Sequence, residues 1–76
     1  MAYIGKREWL TKIRKEKGYS QALTAAMSDI SLPTYNQIEL GYRMPSETMM
    51  KNIAKTLGFA YEDFVREEQA AGRKIS

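Results

Sequence analysis

"SLPTYNQIELG", residues 31–41, decides the fold. Ser31 stands in front, and a serine hydroxyl accepts the N–H groups that open a helix. Pro33 falls in the first turn, where a missing N–H costs nothing. Gly41 closes the stretch, as a residue able to take left-handed backbone often does. Tyr35 and Ile38 lie three apart and define an inner face, with Ile30 just ahead of it. Leu32, Pro33, Asn36 and Gln37 then face away from the core. There is no Lys or Arg among them. Such a face is either ordinary helix surface or a reading head for something with a patterned polar surface.

Upstream, Ser20 can cap a helix that carries Leu23, Ala25, Ala26 and Met27. "SDIS" breaks its pattern, and Asp29 stands where a tight turn wants a left-handed residue. Residues 20–40 therefore read as a helix-turn-helix, with Ala25 small where the two helices should cross closely. Before this pair, Trp9, Leu10 and Ile13 predict a helix from Arg7 to Lys17, stopped by Gly18. After it, Ser46 and Glu47 open a helix whose inner stripe is Met50, Ile53, Ala54 and Leu57. "FAYEDFVREE", residues 59–68, predicts a short fifth helix with Phe59, Phe64 and Val65 as its apolar residues. "QAAGRKIS" has no periodicity. The expectation is an all-α orthogonal bundle of five helices over residues 1–68, followed by a flexible tail over 69–76.

The chain has 76 residues, enough for one small domain that buries roughly 60% of its unfolded surface. It contains no Cys and no His, which removes disulfides, thiolate metal sites and the usual general base. No GxxxxGK[ST] phosphate loop occurs. The carboxylate pairs Glu62/Asp63 and Glu67/Glu68 are sequence neighbours and read as solvated surface. No enzyme, metal or cofactor is expected. "MAYIGKREW" holds no signal-peptide run, and no stretch approaches the roughly 20 apolar residues of a membrane span, so a cytoplasmic chain is expected.

The formal charge is +3 with a pI near 9.3. Its distribution is uneven. Residues 1–19 hold Lys6, Arg7, Lys12, Arg14, Lys15 and Lys17 against Glu8 and Glu16, whereas residues 20–50 hold Arg43 against Asp29, Glu39 and Glu47. This describes either a solvated first helix or a basic rim around a neutral reading surface. Asn and Gln are the side chains that pair bidentately with adenine, and apolar groups can meet a thymine methyl.

"YSQALTAAMSDISLPTYNQIELGYRMPS" resembles the phage repressor/Cro (Xre-type) helix-turn-helix DNA-binding family. The landmarks are Gln21, Ala25, Ile30, Ser31, Ile38, Glu39, Gly41, Pro45 and Ser46, and "KNIAKTLGF" is similar to that family's fourth helix. The resemblance runs from about Trp9 to Phe64. It implies a five-helix lambda-repressor-like fold and a transcriptional regulator, often of phages or mobile elements, that binds a palindromic operator in double-stranded DNA as a homodimer. It further implies that Leu32, Pro33, Asn36 and Gln37 contact bases and that Gln21, Thr34, Tyr42 and Arg43 contact phosphates. Arg14 and Glu39 would form an internal ion pair. Thr24, Asp29, Pro33 and Leu40 depart from the pattern; Leu40 stands where an Asn often binds phosphate. The homodimer is expected through the fifth helix, where Phe59, Phe64 and Val65 exceed what a short inner face needs. The competing expectation is a protein-interaction domain (antirepressor, antitoxin or transcription cofactor) whose partner docks on Leu32, Pro33 and Leu40.

Overall fold

A computed structural model describes residues 5–72. It contains α1 (Glu8–Glu16), α2 (Gln21–Met27), α3 (Leu32–Leu40), α4 (Glu47–Leu57) and α5 (Tyr61–Ala70). Three of the five helices start at serines. The hydroxyls of Ser20, Ser31 and Ser46 accept from the backbone N–H groups of Leu23, Thr34 and Met49. Each takes over one of the opening N–H groups that no helical carbonyl can reach. α5 opens differently: the Asp63 carboxylate reaches back to the Ala60 N–H at 3.3 Å.

α2 packs on both α3 and α4, α4 on α5, and α1 on α3. Leu10, Ala25, Ile30, Tyr35, Ile38, Met50, Ile53, Leu57 and Phe64 form the shared core. Of the apolar residues on α2, only Ala25 turns inward; Leu23 is 44% and Met27 53% exposed. Thr24 is buried beside Ala25, and its hydroxyl donates to the Ser20 carbonyl at 2.9 Å, the backbone acceptor one turn back that a buried threonine needs. Asp29 takes the left-handed conformation at φ 58°, as the tight turn between α2 and α3 demands.

Three expectations need correction. Arg7 and Glu68 are not solvated charges: both are fully buried, and Arg7 Nη2 lies 2.7 Å from Glu68 Oε1. α5 runs to Ala70, two residues past its expected end. The rest of the expected tail falls partly on residues 73–76, which lie outside the described residues. Finally, the aromatic residues around α5 are not in surplus. Phe64 is in the core, and Trp9 meets both Phe59 and Phe64 edge-on, with centroids 5.6 and 5.0 Å apart. Those contacts are made within the chain, where edge-to-face rings add to plain burial.

Candidate nucleic-acid interface

The geometry of α3 follows from its two faces. Tyr35, Ile38 and Glu39 are buried, while Leu32, Pro33 and Gln37 are exposed and Asn36 is half-buried. The Ser31 hydroxyl donates to Thr34 Oγ1 at 2.8 Å, leaving the threonine O–H at the helix start as a donor. At the other end Gly41 is left-handed, and the Tyr42 N–H closes back onto the Gln37 carbonyl at 2.9 Å. This cap turns the chain sharply and places exposed Tyr42 and Arg43 beside the end of the helix.

Arg7 fixes that end. Its backbone N–H donates to the Glu39 carbonyl at 2.8 Å. Its Nη1 donates to the carbonyls of Ile38, at 2.6 Å, and Arg43, at 3.0 Å. Nε and Nη2 hold the Glu68 carboxylate at 3.0 and 2.7 Å. A planar guanidinium can serve carbonyls and a carboxylate at once because its five donors diverge in one plane. The sequence carried a signal for Glu68 that charge alone obscures: it lies four residues after buried Phe64, on the same face of α5.

A second polar cluster lies under the middle of α3. Arg14 Nε donates to Glu39 Oε2 at 2.6 Å and Arg14 Nη2 to Oε1 at 3.3 Å. The same carboxylate accepts from Tyr35 Oη, Gln21 Nε2 and Thr11 Oγ1 at 2.6, 2.9 and 2.9 Å. Burial pushes the Glu39 carboxyl up, but the hydrogen bonds from Arg14, Tyr35, Gln21 and Thr11 outweigh burial and hold it below its usual range. Burial and the bond to Glu39 drive the Tyr35 phenol far upward, so it stays a donor. The Glu39 bond also raises Arg14, which remains a cation.

The outer amides are engaged as well. Asn36 Nδ2 donates to Gln21 Oε1 at 3.2 Å, and Arg43 Nε donates to Gln37 Oε1 at 3.2 Å. Two of the expected phosphate and base contacts, Gln21 and Asn36, thus join the buried cluster. Neither pairing is visible in residue spacing.

Cations frame this surface less strongly than the sequence count implies. Arg7 and Arg14 are neutralised inside the domain. The exposed cations left in residues 5–19 are Lys6, Lys12, Lys15 and Lys17. Lys6, Lys12 and Lys15 line an open cleft together with Glu8, Glu16, Gln21 and Leu40. Among the described residues no group of three or more acidic, His or Cys side chains could hold a metal ion, and no helix is long and apolar enough to cross a membrane.

Residues 10–64 match the family model described as helix-turn-helix. A Bacillus subtilis protein named as an uncharacterized HTH-type transcriptional regulator, YqaF, is 39% identical over 61 residues. The alignment covers 80% of this chain and 80% of that protein.

Proposed function

This chain belongs to the helix-turn-helix family, and we propose that it is a sequence-specific DNA-binding transcriptional regulator of the repressor/Cro type. In this reading it acts in the cytoplasm on a palindromic operator, as a homodimer. The observation that carries the proposal is the outer face of α3. It offers apolar Leu32 and Pro33 at the leading end and the amides Asn36 and Gln37 behind them, with the core firmly fixing the opposite face. An α-helix fits the major groove, where amides meet adenine edges and apolar groups meet thymine methyls. Gln21, Thr34, Tyr42 and Arg43 ring that face as phosphate contacts, and the α1 lysines extend the cationic rim. Pairing through α5 would use Tyr61 and Val65, half-buried and one turn apart.

Selection from random duplexes, followed by mobility shifts across salt, tests this. Enriched A·T-rich half-sites should lie about 34 Å apart, one DNA turn. Arg43→Ala should weaken all sequences alike and flatten the salt slope by about one unit. A strict monomer on operator DNA, measured by sedimentation, would remove the homodimer. A second reading, a protein partner docking on Leu32, Pro33 and Leu40, has its own support: Leu32 and Pro33 are exposed and Leu40 is half-exposed on α3, and Leu23 and Met27 are 44% and 53% exposed on α2. That reading takes over if no duplex binds at low salt.

A further inference from the structure

The hydrogen bonds between the buried cluster and the surface have a direction, and that direction begins at Glu39. An ionised carboxylate can only accept. Gln21 must therefore turn its Nε2 inward, where it donates to Glu39 Oε1 at 2.9 Å. That choice turns Gln21 Oε1 outward, where it can only accept. Asn36 meets it with Nδ2 at 3.2 Å. One N–H of the Asn36 amide is thereby committed, which fixes which way round the amide sits. The second N–H and Oδ1 remain, one donor and one acceptor on the half-buried Asn36 amide.

Among the four base edges in the major groove, adenine alone offers an amine donor beside a ring-nitrogen acceptor, N6 beside N7. Guanine offers two acceptors, which the fixed amide would meet with one acceptor of its own. Gln37 is constrained the other way round. It is exposed, and its carbonyl already takes the Arg43 Nε–H at 3.2 Å, leaving its amine as the outward group. We infer that Glu39, acting through Gln21, positions the Asn36 amide to read adenine, so that the adenine-specific contact belongs to Asn36 rather than Gln37. This rests on the DNA-binding reading above. Glu39 and Gln21 are positioning residues here, and Asn36 is the group that touches the base.

The test is a selection from random duplexes at one salt concentration, with wild type, Gln21→Met, Asn36→Ala, the double variant and Gln37→Ala. Met keeps the length of Gln and removes both polar ends. Wild type should show one adenine position per half-site preferred by roughly 5- to 150-fold, the range of a good bidentate pair. Asn36→Ala and Gln21→Met should each flatten that position, the double variant should be no flatter than either, and any position that Gln37→Ala flattens should be a different one. Loss of a Gln21 phosphate contact lowers affinity for every sequence equally and leaves the preference profile otherwise intact. A Gln21→Met protein with undiminished adenine preference overturns the inference, as does an adenine position that survives Asn36→Ala. A second measurement needs no DNA. The Asn36 side-chain amide resonances of the free protein should move toward free-asparagine positions in Gln21→Met, and unmoved resonances overturn the relay. Failure of wild type to bind any duplex, with those resonances shifted as expected, overturns the DNA-binding reading instead.

Discussion

Replacing Glu39 by glutamine tests the cluster that supports α3. The carboxylate accepts five hydrogen bonds, from Arg14 twice and from Tyr35, Gln21 and Thr11. A glutamine at the same place offers one acceptor oxygen and turns two N–H donors toward other donors. Arg14 would keep the Tyr19 carbonyl at 2.8 Å but lose its counterion. Leaving a buried charge uncompensated costs about 3–5 kcal/mol. A domain of 76 residues has about 4–11 kcal/mol of stability in total, so this one change should remove a large share of it. The effect should also depend on pH. Hydrogen bonds hold the folded Glu39 carboxyl below its ordinary value of 4.5 despite burial. With the folded value below the unfolded one, the stabilisation is complete above about pH 4.5 and is lost as pH falls through the folded value. Urea melts followed by circular dichroism should show a gap between wild type and Glu39→Gln that is constant from about pH 7 to 5.5 and narrows as pH falls below about 4.5. Adding Arg14→Met should show a coupling of at least about 2 kcal/mol between the two sites. A gap under about 1 kcal/mol at neutral pH, or one that stays constant down to about pH 3, would refute this account of the cluster.

Breaking the buried Arg7–Glu68 pair should also destabilise the domain, with an asymmetry between its two partners. Glu68→Leu leaves Arg7 two carbonyl acceptors and should cost about 3 kcal/mol, whereas Arg7→Met also strips the carbonyls of Ile38 and Arg43 and should cost about 5. Equal costs in urea melts would count against the role of those carbonyls. Gly41 and Gly58 are both left-handed, yet a Cβ at Gly41 would run into the Gly5 carbonyl oxygen, while one at Gly58 would meet only the flexible end of Lys17. Gly58→Ala should cost about 1–2 kcal/mol from backbone strain alone, and Gly41→Ala clearly more. Thermal melts of the two variants decide it, and matching midpoints would disprove the close approach at Gly41.

The helices were legible because their ends carry local chemistry. Ser20, Ser31 and Ser46 cap by side-chain geometry, and Gly41 and Gly58 stop helices by backbone freedom; these depend on neighbours in sequence. The inner stripe of α4 was readable for the same reason. α2 was harder, since its interior polar residue, Thr24, is buried while Leu23 and Met27 are exposed, the reverse of what polarity alone suggests. Its burial was decided by Thr24 and Ala25, which let α3 and α4 approach. Arg7 and Glu68 were misread because composition treats every charge as solvated, while burial here is permitted by a partner far along the chain. The candidate reading face was visible as residue types at helical spacing. The direction of its hydrogen bonds was not, because that depends on Gln21 meeting both Glu39 and Asn36 in space.

Arg7 and Glu68 are 61 residues apart in sequence. Closing a flexible loop of that length costs about 3.6 kcal/mol, from (3/2)RT ln n. Most other polar links in the domain span a few residues or one helix pair. The guanidinium also holds the carbonyls of Ile38 and Arg43, so its full set of partners exists only once α1, α3 and α5 are together, and the pair is expected to form late on the folding path. Interactions absent from the transition state act on the rate of escape from the native state and leave the rate of arrival nearly unchanged. The buried pair is therefore a latch in time. Stopped-flow measurements on Glu68→Gln should show unfolding accelerated by nearly the whole loss in stability and refolding almost as fast as wild type. Markedly slower refolding would place the pair in the nucleus instead.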